Sequence, residues 1–184
     1  MKGEEYLTKK AKNRDSEAFG SLYDYYLPAI YRFILLKTGG KATAEDLTHQ
    51  VFLSAWQNIE NYQAKGFPFS SWLYRIASNA VIDYYRTDKK HFNLDNIEEV
   101  AAGNNLEEKI DQGFELNLVK TAIKELPNEQ QIIIIMKFVE DLTNKEIAAA
   151  LGKSEGAVKT AQHRSIQNLK KIINGKHNQT IKGN

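Results

Sequence analysis

Along most of this 184-residue chain, apolar side chains recur at steps of three and four, a period that helices satisfy and strands do not. Phe19, Leu22, Tyr23, Tyr26, Leu27, Ile30 and Ile34 make one such stripe. Pro28 lies inside it and is expected to kink or divide the helix. Thr43-Ala44-Glu45-Asp46 resembles a capping box, with Asp where Glu or Gln is usual. It predicts a second helix with Leu47, Val51, Phe52, Ala55, Trp56 and Ile59 on one face. A loop from Asn61 to Pro68 follows, broken by Gly66 and Pro68. A third helix is expected from Ser70 or Ser71, either of which can cap it, burying Leu73, Ile76, Ala77, Ala80, Val81 and Tyr84. The period fails between about Lys89 and Gly113 and resumes with Leu118, Val119, Ala122, Ile123 and Leu126. Pro127 ends that helix and suits the first turn of the next. The run Ile132-Ile133-Ile134-Ile135-Met136 is rich in β-branched residues, which favour sheets. Helical patterns flank it and no partner strand is evident, so it is read as helix. Glycine (11) and proline (3) are too scarce for a fold made of many tight turns. The expectation is an all-α chain of two small helical domains, 1–92 and 114–174, with an acidic linker over 93–113 and a polar tail over 175–184.

The most specific local pattern lies between Leu142 and Ile173. Thr143-Asn144-Lys145-Glu146 is a capping box. The helix it opens runs through Ile147, Ala148 and Leu151 to Gly152, which permits the left-handed stop. Ser154 then caps a helix whose inner face is Val158, Ala161, Ser165, Leu169 and Ile172. Ala148 stands four residues before Gly152 and Val158 six after it. A small residue for close approach, a glycine for the turn and a valine at the crossing is the spacing of a helix-turn-helix. The second helix turns Glu155, Lys159, Thr160, Gln162, His163 and Arg164 outward, groups suited to phosphates and base edges.

Charge is distributed to match. From Lys153 onward the bases are Lys153, Lys159, Arg164, Lys170, Lys171, Lys176 and Lys182, against Glu155 alone. Asn93 to Asn117 is the reverse, with Asp95, Glu98, Glu99, Glu107, Glu108, Asp111 and Glu115 against Lys109. A basic end points to a polyanion partner. Fully extended, some twenty linker residues reach on the order of 70 Å, about twenty base pairs of duplex at ~3.4 Å each. Cysteine is absent, which excludes disulfide and thiol chemistry. His49, His91, His163 and His177 lack metal-ligand spacing, and no glycine-rich phosphate loop follows a strand. No apolar run is long enough to span a bilayer, and Met1-Lys2-Gly3-Glu4-Glu5 is no signal peptide. These features point away from an enzyme and toward a cytoplasmic, DNA-binding chain without a cofactor.

Both halves resemble the extracytoplasmic-function group of bacterial RNA polymerase sigma factors, over residues 14–90 and 115–173. Ala18-Phe19-Gly20-Ser21-Leu22-Tyr23 looks like the opening of sigma region two. Ala44-Glu45-Asp46-Leu47-Thr48-His49-Gln50-Val51-Phe52-Leu53-Ser54-Ala55-Trp56 is similar to the polymerase-binding helix. Phe69-Ser70-Ser71-Trp72-Leu73-Tyr74-Arg75-Ile76-Ala77-Ser78-Asn79 and Asp83-Tyr84-Tyr85-Arg86 look like the promoter-melting helix. Leu126-Pro127 resembles the start of region four, and the helix-turn-helix its close.

The resemblance implies a protein that binds the clamp and flap of core RNA polymerase and has promoter DNA and an anti-sigma factor as further partners. Asp46, Leu47, Gln50, Val51, Phe52 and Trp56 would bind polymerase. Asn61, Tyr62, Lys65, Phe67, Trp72, Arg75, Asn79, Asp83 and Arg86 would hold and melt the minus-ten element, where aromatic planes and snug pockets suit unstacked bases. Phe69 and Trp72, taken singly, read more readily as core than as contacts, since large aromatics usually pack. Ser154, Glu155, Gly156, Lys159, Thr160, His163 and Arg164 would read the minus-thirty-five element. The acidic linker would thread the polymerase's nucleic-acid channels or act as a solvated spacer. The chain departs from the family at Ser54 and Ser78, where arginine is common, at Gln50, where an acid is frequent, and at Ala161-Gln162. Each missing arginine weakens salt-dependent affinity, which shifts the weight to Lys159, His163 and Arg164. Two alternatives stay open on the residues alone. One is a stand-alone helix-turn-helix regulator that binds duplex DNA without polymerase. The other is an interaction module that binds polymerase or an anti-sigma factor without reading promoters.

Overall fold

The structure is a computed structural model. It describes residues 1–88, 119 and 121–182, with side chains described except at 88 and 176–182. The acidic linker therefore lies outside the described residues. Among the described residues the helices are α1 (Glu4–Lys12), α2 (Ser16–Thr38), α3 (Lys41–Asn58), α4 (Phe69–Asp88), α5 (Asn128–Phe138), α6 (Asn144–Leu151) and α7 (Glu155–Lys182). A 3₁₀ turn, Ile59–Asn61, follows α3, and residues 121–124 are helical ahead of α5. No strand occurs among these residues.

Helices α1 to α4 form one packed group. Asp15 caps α2 by accepting the Ala18 amide at 3.0 Å, and that bond holds its carboxyl below the usual range. Leu22, Ile30, Phe33 and Ile34 then project inward against Val51, Ile59, Phe69 and Leu73, all nearly or fully buried. Each such side chain contributes about 1.5–3 kcal/mol of transfer free energy. Helix α2 runs unbroken through Pro28, so proline does not divide it. Its N–H is simply missing from one rung, and the apolar stripe on both sides holds the helix together.

Two expected caps are absent. Helix α3 starts at Lys41 behind Gly40 with no side-chain cap, so the Thr43 box does not form; Thr43 already lies in the first turn. Helix α4 starts at Phe69. Neither serine opens it, and the Ser71 hydroxyl is buried without a partner. The Phe69 amide instead donates to Glu4 Oε1 at 2.7 Å.

Helices α5 to α7 form the second group. Ile132 through Met136 are all buried, because α5 is the central helix of this group and contacts the first group as well. A helix covered on all sides needs no polar face, which explains why its sequence looked strand-like. Helix α7 continues to Lys182, through the segment read as a tail; no proline interrupts it, and Gly175 alone does not end it.

The two groups share one apolar core and a polar seam. The Glu140 side chain, 1% exposed, accepts from Arg32 Nε at 2.8 Å, Arg32 Nη2 at 2.6 Å and the Tyr74 hydroxyl at 2.9 Å. Lys37, buried at the same seam, donates to Gln131 Oε1 at 2.5 Å and Asn128 Oδ1 at 3.1 Å. Among the described residues no carboxylate pairs with it, and burial pushes its amine down to about 8.

Candidate nucleic-acid interface

The helix-turn-helix forms as its residues dictate. Thr143 Oγ1 accepts the Glu146 amide at 3.2 Å, while Glu146 Oε2 accepts the Thr143 amide at 2.7 Å. Gly152 adopts φ 63°, and the next amide, Lys153, closes back on the Ala148 carbonyl at 2.9 Å. Ser154 Oγ caps α7 by accepting the Ala157 amide at 3.2 Å. Val158 is fully buried at the crossing and Ala148 nearly so. Burying those two residues leaves Ser154, Glu155, Gly156, Lys159, Thr160, His163 and Arg164 together on the exposed face of α7's first three turns. Lys159 and Glu155 pair at 2.9 Å, and the ammonium holds the Glu155 carboxyl below its ordinary value. His163 and Arg164 stand beside that pair on the same exposed face. Lys153 turns away to pair with Glu129 at 3.0 Å.

A second polar surface lies on α4 and the loop before it. Arg75, Asn79, Asp83 and Arg86 are exposed and, at steps of four, four and three, line one stripe. Asp83 pairs with Arg86 at 3.2 Å. Asn61 and Lys65 are exposed on the loop. Lys65 (φ 45°) and Gly66 (φ 77°) are successive left-handed residues, a shape glycine adopts freely and lysine only under constraint. Trp72 is half-buried against Tyr62 and Phe69, with centroids 5.1 and 5.4 Å away. Phe67 is half-buried beneath the Lys145 ammonium, 5.5 Å from its ring centre. Tyr62 must be corrected: it is 5% exposed and packs edge-on to Phe69. Burial, then the nearby Glu4 charge, raises its phenol to about 12. Its ring is core and offers no plane to a base. Ser78 is also buried, donating to the Tyr74 carbonyl, so the arginine common there has no room in this packing.

The third surface is on α3. Leu47 and Val51 were expected to face a partner but are buried in the core, and Phe52, expected with them, is nearly buried and meets the surface only where it lines a hollow. Asp46 and Gln50 are exposed, and Trp56 is half-exposed. Sequence reasoning missed Ser16, Phe19, Tyr23, His49 and Leu53 as site residues; with Phe52 and Trp56 they line an open, largely apolar hollow of about 360 Å³. Leu53 is 57% exposed at its rim. The signal was present: Asp46, His49, Gln50 and Leu53 recur at helical steps opposite the buried Leu47–Val51 stripe.

The sequence profile of Sigma-70 region 2 matches residues 22–91, and that of Sigma-70, region 4 matches residues 116–169. The chain is similar to ECF RNA polymerase sigma factor BldN of Streptomyces coelicolor, 33% identical over 170 residues, covering 91% of this chain but 64% of that protein. It is also similar to ECF RNA polymerase sigma factor SigW of Bacillus subtilis, 32% identical over 176 residues, covering 90% of this chain and 94% of that one. Its fold is shared with CnrH, solved in complex with the cytosolic domain of CnrY, with a TM-score of 0.73 at 21% identity over 94% of this chain and 98% of that one. It is shared also with RpoE of Bartonella quintana, solved with the anti-sigma factor NepR, with a TM-score of 0.68 at 23% identity over 85% and 96%.

Proposed function

The chain belongs to the ECF sigma factors of the sigma-70 family, and we propose on that basis that it binds core RNA polymerase and directs promoter recognition and transcription initiation. Sigma factors are not enzymes: the polymerase performs the chemistry, and the sigma factor supplies address and melting. The observation that carries the reading is that one chain presents two separate exposed polar surfaces suited to nucleic acid, the outer face of α7 and the stripe of α4 with its loop. A stand-alone regulator needs only the first, so that alternative is not favoured.

The parts divide the work as follows. Residues 1–92 and 114–174 act as two units joined by residues 93–113. The first turns of α7 lie in the major groove of the upstream element, with Lys159, His163 and Arg164 reaching phosphates or base edges and the α7 N-terminus adding its dipole. Arg75, Asn79, Asp83 and Arg86 follow the backbone of the minus-ten element, while Asn61, Lys65, Phe67 and Trp72 meet the unstacked bases. Asp46, Gln50, Leu53 and Trp56 dock on the polymerase, with the apolar hollow receiving one of its side chains. The structural neighbour RpoE, solved with the anti-sigma factor NepR, supports an anti-sigma factor as a further partner. No helix among the described residues is long and apolar enough to cross a membrane, and the protein acts in the cytoplasm, where its polymerase is.

Co-elution with core polymerase in the absence of DNA tests the reading. A one-to-one complex that then initiates at selected promoters supports it. Failure to co-elute, with salt-sensitive duplex binding by the chain alone, overturns it in favour of the independent regulator.

A further inference from the structure

Helix α1 lies ahead of the segment that matches region 2, which begins at residue 22, so that match assigns it no role. We infer that α1 is the positioning element of the loop that meets the minus-ten bases, with Glu4 and Lys12 as its two positioning residues; this rests on the role given above to residues 61–67.

The geometry is that of a clamp. Glu4, Thr8 and Lys12 recur every four residues on one side of α1, about 12 Å from end to end at 1.5 Å per residue. Thr8 and Ala11 bury that side against the bundle. At one end, Lys12 Nζ donates to the Tyr62 carbonyl at 2.8 Å. At the other, Glu4 Oε1 accepts the Phe69 amide at 2.7 Å and Oε2 accepts the Tyr26 hydroxyl. One helix therefore holds the last core residue before the loop and the first one after it. Just beyond α1, Arg14 donates to the Trp56 carbonyl at 2.9 Å and pairs with Glu60, fixing the end of α3 from which the loop departs.

Between these anchors the loop is held at Phe67, half-buried beneath the Lys145 ammonium. Gln63, Ala64, Lys65 and Gly66 are exposed, and its internal backbone bond runs from the Phe67 amide to the Ala64 carbonyl at 2.7 Å. A left-handed lysine such as Lys65 persists only where its surroundings over-determine it. A site that selects a base must hold its groups to within about 0.5 Å. Anchors at both ends meet that demand. They also bear on base selection specifically, because neither Glu4 nor Lys12 lies on the α3 hollow or the α7 face.

The test uses holoenzyme reconstituted from core polymerase and the full chain. Promoters are selected from a library randomised at the minus-ten element, and open complexes are scored by permanganate reactivity of unpaired thymines. Lys12→Met and Glu4→Ala are each expected to cut discrimination between selected and single-substituted elements about tenfold, the weight of one charge-assisted hydrogen bond. Lys12→Arg, which keeps a donor, should restore most of it. Polymerase affinity and upstream-duplex binding should not change. Unchanged discrimination in folded Lys12→Met and Glu4→Ala overturns the inference. So does a loss of opening that is uniform across the library and follows the fall in Tm. If Glu4→Ala does not fold, Lys12→Met decides. Gln63→Ala and Lys65→Ala separate the two levels: if they alter selection while the α1 variants do not, the clamp fails alone. If neither set alters it, the role given to the loop fails.

Discussion

Arg32→Met tests the seam between the two groups of helices. Glu140 is 1% exposed and accepts two bonds from the Arg32 guanidinium and one from the Tyr74 hydroxyl. Methionine keeps most of the aliphatic stem and removes the charge, leaving a buried carboxylate with a single phenol. Stranding one partner of a fully buried pair costs about 3–5 kcal/mol. The Arg32 side chain, however, is 50% exposed, so water reaches the pair from one side and the figure falls to about 2 kcal/mol. The penalty disappears when the groups part and Glu140 is hydrated, so it acts on closing and shifts the closed-to-open ratio about 30-fold toward open. The chain has no cysteine, so Gln57→Cys with Lys171→Cys allows two dyes to be attached at exposed sites, one in each group. Single-molecule energy transfer then reads the closed fraction directly. Tyr74→Phe, which loses one neutral bond, should shift it by less. An open population that changes less than about threefold in Arg32→Met would show that Glu140 is satisfied by water and that the seam is held by apolar contact alone.

The remaining predictions concern other surfaces. Lys37 has its amine lowered to about 8 from 10.5, so between those values the unfolded chain binds more protons and stability rises with pH. The tyrosines Tyr26, Tyr62 and Tyr74 are shifted upward and pull the other way once unfolded tyrosine ionises near pH 10. Tm should therefore climb between about pH 8 and 9.5, and Lys37→Met should remove the climb; a flat wild-type profile would contradict the assignment. Lys159→Glu or Arg164→Glu should abolish upstream-element recognition while polymerase binding persists, and Lys159→Ala should reduce the slope of log K against log salt by about 0.9 if one phosphate contact is lost. Undiminished transcription from these variants would sink the assignment of the α7 face. Leu53→Arg, or Asp46→Arg with Gln50→Arg, should weaken core binding about tenfold or more, as loss of a central interface anchor does, without lowering Tm; unaffected holoenzyme formation would place the docking surface elsewhere.

What the sequence disclosed was local. The capping box at Thr143, the glycine stop at 152, the Ser154 cap and the buried Val158 are all written within sixteen residues, and the structure contains each of them. The exposed face of α7 followed from the same period. Errors arose where a residue's partners or its buried side are set by packing, sometimes far along the chain. Ser70 and Ser71 looked like caps, yet the amide at the start of α4 is met by Glu4, 65 residues earlier. Tyr62 looked like a loop aromatic free to stack, but the fold closes Phe69 and Trp72 around it. Leu47, Val51 and Phe52 were placed at a partner surface because their helix was; the period that identified the helix also put them on its buried side. The Arg32–Glu140 pair spans 108 residues and has no local signature.

That pair also bears on how freely the two halves could be exchanged between related chains. Arg32 and Tyr74 come from one half, and Glu140 from the other. A hybrid that joins residues 1–92 to a second half without an acid at that position would leave a guanidinium and a phenol facing no counter-ion. The reverse hybrid would carry a carboxylate into a seam with no base to meet it. Inheritance of one half is thereby tied to inheritance of the other. Recombination across residues 93–113 should yield working hybrids chiefly among parents that agree at these three positions.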